Sequence, residues 1–305
     1  MRTHTRLLAG FLLLFAVYQA SEGLQTVYAP GNPLGPVLML AALLLAWPVG
    51  CWIDGSGYRA FGLHGRHWAG LLLGMFLVAV LAKLAGEALA LGLGMERFTP
   101  MVALAAPAVA LAVVSTFVPS LAEDILTRGF LLRLTPRPLG PWGYVLGSAL
   151  LYTLNHVWRF DWGVSEQLRL FCLGLAYGAA AYRFGSLWAA VGLHWGWNLG
   201  NSLLSQAWPG AVLEVTGNRL VSAAVHLVLL AIVLAWPRPA PSPPAAPAAA
   251  STRHRPKARY SARSRQRNRA CTAVQRSRRQ AHTRSSAATA GTRISHARAL
   301  PALPM

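Results

Sequence analysis

Three pairs of polar residues sit at helical spacing inside otherwise apolar stretches: Asp124 with Arg128, Tyr152 with His156, and His194 with Asn198, with Glu123 beside the first pair. A polar or ionisable side chain inside a membrane helix costs several kcal/mol (order of magnitude) unless it is paired or lines a wet cavity, so such residues are site candidates by default. A carboxylate and two imidazoles from separate helices, converging in a partly dry cavity, suit hydrolysis. Glu123 can take a proton from water as general base while His156 holds the same water. His194 and Asn198 can then donate hydrogen bonds to the oxyanion that forms at a peptide carbonyl. Asp124 and Arg128, four apart, share a helix face and neutralise each other as structural support. Glu123 is rotated from them by about 100° and is left to face a cavity. Glu123, His156 and His194 are also zinc-ligand types, so the residues leave a divalent metal such as zinc open as the one cofactor candidate. No His-Glu-x-x-His stands in the chain to argue for it.

Such a constellation needs helices to carry it. Of 305 residues, 54% are hydrophobic and only 12% charged, against about 25% charged in soluble domains. The apolar residues fall in runs near the length of a membrane span. The expected fold is an all-α, polytopic transmembrane helical bundle of about eight spans: Leu7–Ala20, Leu34–Ile53, His67–Leu91, Met101–Leu121 (continuing as helix to Leu134), Trp142–Val157, Gln167–Arg183, Leu187–Leu204 and Leu220–Trp236. Although basic residues precede Leu7–Val17, the first run reads as an uncleaved span rather than a signal peptide, because bulky Tyr18 stands where a cleavage site wants a small residue. Arg2, Arg6, Arg59, Arg66, Arg133, Arg137 and Arg183 fall on one side if the spans alternate, which predicts a multi-pass membrane protein with both termini cytoplasmic. Counted from the turn near Pro138, Glu123 and His156 reach similar heights of roughly 22–27 Å. His194, about eight residues past the turn near Ser186, matches them only if that turn sits deeper.

The net charge of +19 belongs to the end of the chain. Residues 237–305 hold 15 Lys/Arg and no Asp or Glu, leaving 13 Lys/Arg against 9 acids in the rest. This Arg/Ala/Pro-rich segment has too little apolar content for a core and is expected to be a disordered basic tail. Anionic lipid headgroups are its expected partner. No specific nucleic-acid partner is expected, because no fold or aromatic interleaving is present to read bases. Lys83 and Glu87 form a further self-neutralising pair, and His226 has no partner within its own segment. Cys51, Cys172 and Cys271 lie far apart and show no metal-ligand spacing.

Glu123-Asp124-x-x-x-Arg128-Gly129, Tyr152-x-x-x-His156 and His194-x-x-x-Asn198 resemble the three motifs of the CPBP group. These are intramembrane proteases related to the type II CAAX prenyl endopeptidase and the bacteriocin-processing enzymes. The resemblance covers about 111–204. It implies an all-helical bundle of about eight spans, Glu123 as the water-activating glutamate, His156 as its partner, and His194 and Asn198 as the oxyanion-side pair. It leaves both a metal-dependent and a metal-free glutamate mechanism open. Asp124 stands where the group usually has a second Glu, and Tyr152 where it has Phe; neither change removes a group the chemistry requires. The expected organisation is N-terminal transmembrane helices over 1–100, a catalytic core over 101–205, a last helix over 206–236 and the tail over 237–305. The expected function is an intramembrane endopeptidase acting on a membrane-associated protein or peptide. A non-catalytic immunity or accessory protein of the same fold is the alternative, and a proton-coupled transporter the third reading.

Overall fold

In lipid a backbone must satisfy its own hydrogen bonds, which leaves helices as the economical structure for long Leu-, Ala- and Val-rich runs. The computed structural model describes residues 3–134 and 140–237, and among these the regular structure is helical. The elements are α1 (Thr3–Gly23), extended by a wide π turn (Leu24–Tyr28); α2 (Leu34–Asp54); a 3-10 turn (Gly57–Phe61); α3 (Trp68–Gly92); α4 (Ala106–Asp124); a second π turn (Ile125–Gly129) leading into α5 (Phe130–Leu134); α6 (Gly140–Asn155); a 3-10 turn (Val157–Trp162); α7 (Val164–Phe184); α8 (Leu187–Ala207); and α9 (Val215–Ala235). Arg137, Pro138 and the expected tail with its lipid contacts lie outside the described residues.

Among the described residues, five helical segments are long and apolar enough to cross a membrane: His4–Tyr28, Leu34–Asp54, Trp68–Gly92, Ala106–Arg133 and Val215–Ala235. The other three expected spans are helices as well, but α6 has only 16 residues, α7 carries Glu166, Arg169 and Arg183, and α8 carries His194, Asn198 and Asn201. The residues that make these helices interesting are the ones that lower their hydropathy. The outer face is apolar: Leu73, Leu77, Leu81 and Leu84 of α3 are all roughly half exposed or more, at the three- and four-residue steps that make one helix face. This is an integral membrane protein, and its large exposed apolar side chains meet lipid rather than water.

Helix α8 is the centre of the bundle, packed against α3, α4 and α7. It approaches α3 through small residues at four-residue intervals. A methyl group at Gly192 would overlap the Leu72 carbonyl oxygen, and one at Gly196 would overlap the Phe76 carbonyl oxygen and lie 2.9 Å from Ala79 Cβ. Without a hydrophobic driving force between helices in lipid, such backbone contact is what associates them. Gly196→Ala is therefore expected to lower stability by about 1–3 kcal/mol through overpacking, read as a lower midpoint of thermal unfolding in detergent. An unchanged midpoint would show that α3 and α8 can part freely.

The depth required of His194 is met by the turn before α8. Gly185 closes α7 at φ 60°, and the chain enters α8 beneath the segment that follows the first 3-10 turn. Leu187 N–H donates to the Gly62 carbonyl and Ser186 Oγ to the His64 carbonyl. Ser186 and Leu187 are buried. The turn is thus covered and held by that segment, and His194 comes within 3.6 Å of Glu123. Gly129 permits another close approach: a methyl there would meet Phe61 Cβ at 2.7 Å, so its neighbour is the short 3-10 turn.

Candidate active site

Glu123 and Asp124 end α4, where the helix widens into the π turn Ile125–Gly129, closed by the Phe130 N–H on the Ile125 carbonyl. Thr127 Oγ1 donates to the Glu123 carbonyl at 2.8 Å, covering an oxygen that the widened turn would otherwise leave short of a partner. Single π turns of this kind recur at functional sites. Across this turn Asp124 and Arg128 still meet as an ion pair, with both side chains fully buried. The guanidinium lies between two rings, its carbon 4.5 Å from the Tyr152 centroid and 5.3 Å from that of Tyr177. Cation–π attraction over desolvated rings contributes about 2 kcal/mol or more per pair, and here it offsets buried N–H groups (Nε and Nη2) that have no hydrogen-bond partner among the described residues.

The residues expected to form the site converge. Glu123 Oε1 lies 3.4 Å from His156 Nε2, and Oε2 lies 3.6 Å from His194 Nε2. All three side chains are nearly inaccessible. They share a cavity of about 260 Å³, lined also by Tyr18, Glu22, Tyr152, Arg159, Asn198 and Asn201. Asn198 donates to Ser120 Oγ at 3.1 Å, and Ser120 in turn donates to the Thr116 carbonyl at 2.7 Å. One N–H of the Asn198 amide is fixed in this way, and the side chain lines the cavity.

Hydrogen-bond chemistry fixes where the imidazole protons sit. His156 Nδ1 is 2.9 Å from the Tyr152 carbonyl oxygen, which can only accept, so Nδ1 carries a hydrogen and Nε2 presents a lone pair to Glu123. His194 Nδ1 is 3.3 Å from Asp124 Oδ1, already paired with Arg128, so it too carries a hydrogen. His194 Nε2 then faces the Tyr152 hydroxyl at 3.5 Å and Glu123. Two nitrogen lone pairs and a carboxylate look at one another, an arrangement made favourable by a shared proton or by a water that donates to both sides.

Several contributors were not singled out in the sequence. Asn155 donates to Glu123 Oε1 at 3.1 Å, and Gln19 of α1 holds Asn155 through its carbonyl (2.7 Å) and side-chain oxygen (3.0 Å). Tyr177 stacks on His194 at 5.1 Å and bonds His226 Nε2 at 3.1 Å. His226, whose Nδ1 faces the Ser222 carbonyl at 2.8 Å, thereby has its partners on α7 and on its own helix. Asn155 offered a signal, an amide in an apolar run directly before His156; Gln19 and Tyr177 offered none.

Among the described residues, no group of three or more His, Cys, Asp or Glu is arranged to hold a metal ion. Glu123 turns one oxygen to each imidazole rather than joining both rings on a common point. No metal set is therefore assigned to these residues, although their types allow one.

Residues 105–200 match the family model described as type II CAAX prenyl endopeptidase Rce1-like. That window holds all three motifs, and the resemblance to the CPBP and CAAX protease group is borne out. No curated protein matches the chain.

Proposed function

We propose that this protein is an intramembrane endopeptidase that hydrolyses a peptide bond of a membrane-associated protein or peptide with water activated by Glu123 and His156. The observation that carries the reading is the convergence of Glu123, His156 and His194 on one buried cavity inside a segment that matches a protease family. Water between Glu123 and His156 gives one hydrogen to the carboxylate while the imidazole Nε2 lone pair accepts the other. As the water oxygen attacks the carbonyl carbon, its proton passes to Glu123. The oxyanion forms on the side of Asn198 and His194. Asn198 offers its remaining N–H there. His194, its Nδ1–H directed at Asp124, joins it when the proton shared between its Nε2 and Glu123 sits on the ring, which leaves Glu123 as the carboxylate base. The proton held by Glu123 goes to the leaving amine when the C–N bond breaks. All eight long helices span the bilayer in this reading, and both termini are cytoplasmic.

The test is reconstitution in liposomes with a membrane-anchored peptide in ¹⁸O-enriched water. The expected result is cleavage with one solvent oxygen in the new carboxylate, read by mass spectrometry. Peptide bound but uncleaved would overturn the reading in favour of an accessory protein, and ion flux without cleavage in favour of a transporter.

A further inference from the structure

A second cavity, about 390 Å³, lies beside the first. Ligand sites typically span about 300–1,000 Å³, so this one is large enough for a bulky side chain with some backbone. Its walls are mainly apolar: Leu84, Ala88 and Leu91 from α3, Leu204 and Trp208 from the end of α8, and Val212. The loops over it are stitched together in advance. Arg97 N–H donates to the Ala211 carbonyl, Val102 N–H to that of Ala207, and Leu213 N–H to that of Met95, while Asn218 holds Glu96. Lys83 and Glu87 neutralise each other in its wall. Burial and the neighbouring Glu87 carboxylate push the Glu96 carboxyl up to about 7. The cavity is therefore preformed, and its mainly apolar wall, beside which Glu96 and Arg97 supply one acidic and one basic group, suits an apolar side chain.

The two cavities are linked by one residue. Asn201 lines both, and it belongs to a polar stripe on α8, His194, Asn198, Asn201 and Ser205, spaced four, three and four residues apart. Residues at those steps share one helix face. Asn201 is exposed, and among the described residues its amide makes no hydrogen bond. An amide that both donates and accepts, left open in an otherwise apolar helix between a hydrolytic cavity and an apolar one, matches the chemistry of a peptide backbone. From His194 to Asn201 and Leu204 is about 10–15 Å along the helix. An extended chain covers that distance in roughly three or four residues at about 3.3 Å each.

We propose that the substrate lies extended along this α8 stripe, with Asn201 hydrogen-bonded to its backbone, and that the second cavity is a subsite for a bulky apolar side chain three or four residues from the scissile bond. This rests on the endopeptidase reading and adds its specificity. The occupant is polypeptide, although a lipid tail would also fit apolar walls, because only a peptide uses the open amide of Asn201.

The experiment uses the full chain in detergent with a pool of membrane-anchored peptides randomised over eight positions, products being sequenced by mass spectrometry. The wild-type protein is expected to favour large apolar residues three or four positions from the cut. In Ala88→Trp, which fills the cavity from an exposed position on α3, that preference is expected to invert toward small residues by tenfold or more. Asn201→Leu is expected to raise KM about tenfold across the pool. As a readout independent of turnover, Glu123→Gln protein carrying a benzoyl-phenylalanine photoprobe in place of Trp208, a wall residue already large and aromatic, is expected to capture the peptide at the bulky apolar residue three or four positions from the cut. A cleavage profile indifferent to both substitutions, or a probe that labels only lipid or detergent, would overturn the subsite. Capture of peptide by a wild-type chain that cleaves nothing would leave the subsite standing and remove the endopeptidase.

Discussion

Glu123→Gln is expected to lower turnover of a bound peptide by about 10³-fold or more, within the range of about 10²–10⁴ that general-base groups contribute, or slightly beyond it. The substitution is sharp because it changes so little else. Glutamine keeps an oxygen for the Asn155 amide, which donates to Glu123 Oε1 at 3.1 Å. Its new N–H group takes the place of Oε2, which stands 3.6 Å from His194 Nε2. The cavity therefore retains its shape and gains a donor where two acceptors had met, so the protein should remain folded with an unfolding midpoint at or above that of the wild type. What it loses is the basic oxygen. The discriminating measurement is kcat for the variant together with the Kd of an uncleavable peptide analogue: kcat collapses and Kd holds. A kcat within tenfold of wild type would remove Glu123 from the role of base, whatever its place in the cavity.

The same residues show what the sequence can and cannot disclose. Helices and their approximate ends followed from apolar runs, and the site pairs followed from four-residue spacing; both are local signals. The relative depth of His194 was not local. It depends on Ser186 and Leu187 being held beneath Gly62 and His64, residues more than 120 positions earlier in the chain. The π turn at Ile125–Gly129 likewise has no spacing signature, because Asp124 and Arg128 pair across an α turn and a π turn alike. Around the site, the α4 segment reads plainly as a span although it carries Glu123, Asp124 and Arg128, whereas α6 is short at 16 residues and α7 and α8 interrupt their apolar runs with polar groups. Asn155 was legible in principle and Gln19 was not, since a lone amide near the end of α1 gains meaning only once α1 lies against the end of α6. The zinc reading rested on residue identity alone. Glutamate and two histidines are the right types, but their mutual aim is set by helix rotation, which spacing alone does not fix.

Arg128→Met is expected to destabilise the protein by about 3–5 kcal/mol, the cost of leaving one member of a buried ion pair uncompensated. Arg128 and Asp124 are both fully buried, and without the guanidinium Asp124 retains only His194 Nδ1 at 3.3 Å. Methionine fills part of the slot between Tyr152 and Tyr177 but cannot replace the charge those rings face. At that cost the variant should accumulate poorly in membranes and unfold at a markedly lower temperature. Adding Asp124→Asn removes the stranded charge, and the double variant should recover much of the lost stability, because a buried pair replaced at both ends is often close to neutral. Activity should not recover with it. Asparagine at 124 no longer offers a carboxylate to orient His194, so the ring is free to change tautomer and its Nε2 is no longer held toward Glu123. Stability restored with turnover still at least tenfold down would assign the pair two separable tasks, holding the α4 turn together and aiming an imidazole. Full recovery of both would reduce it to packing alone, and a single variant within about 1 kcal/mol of wild type would contradict the buried pair itself.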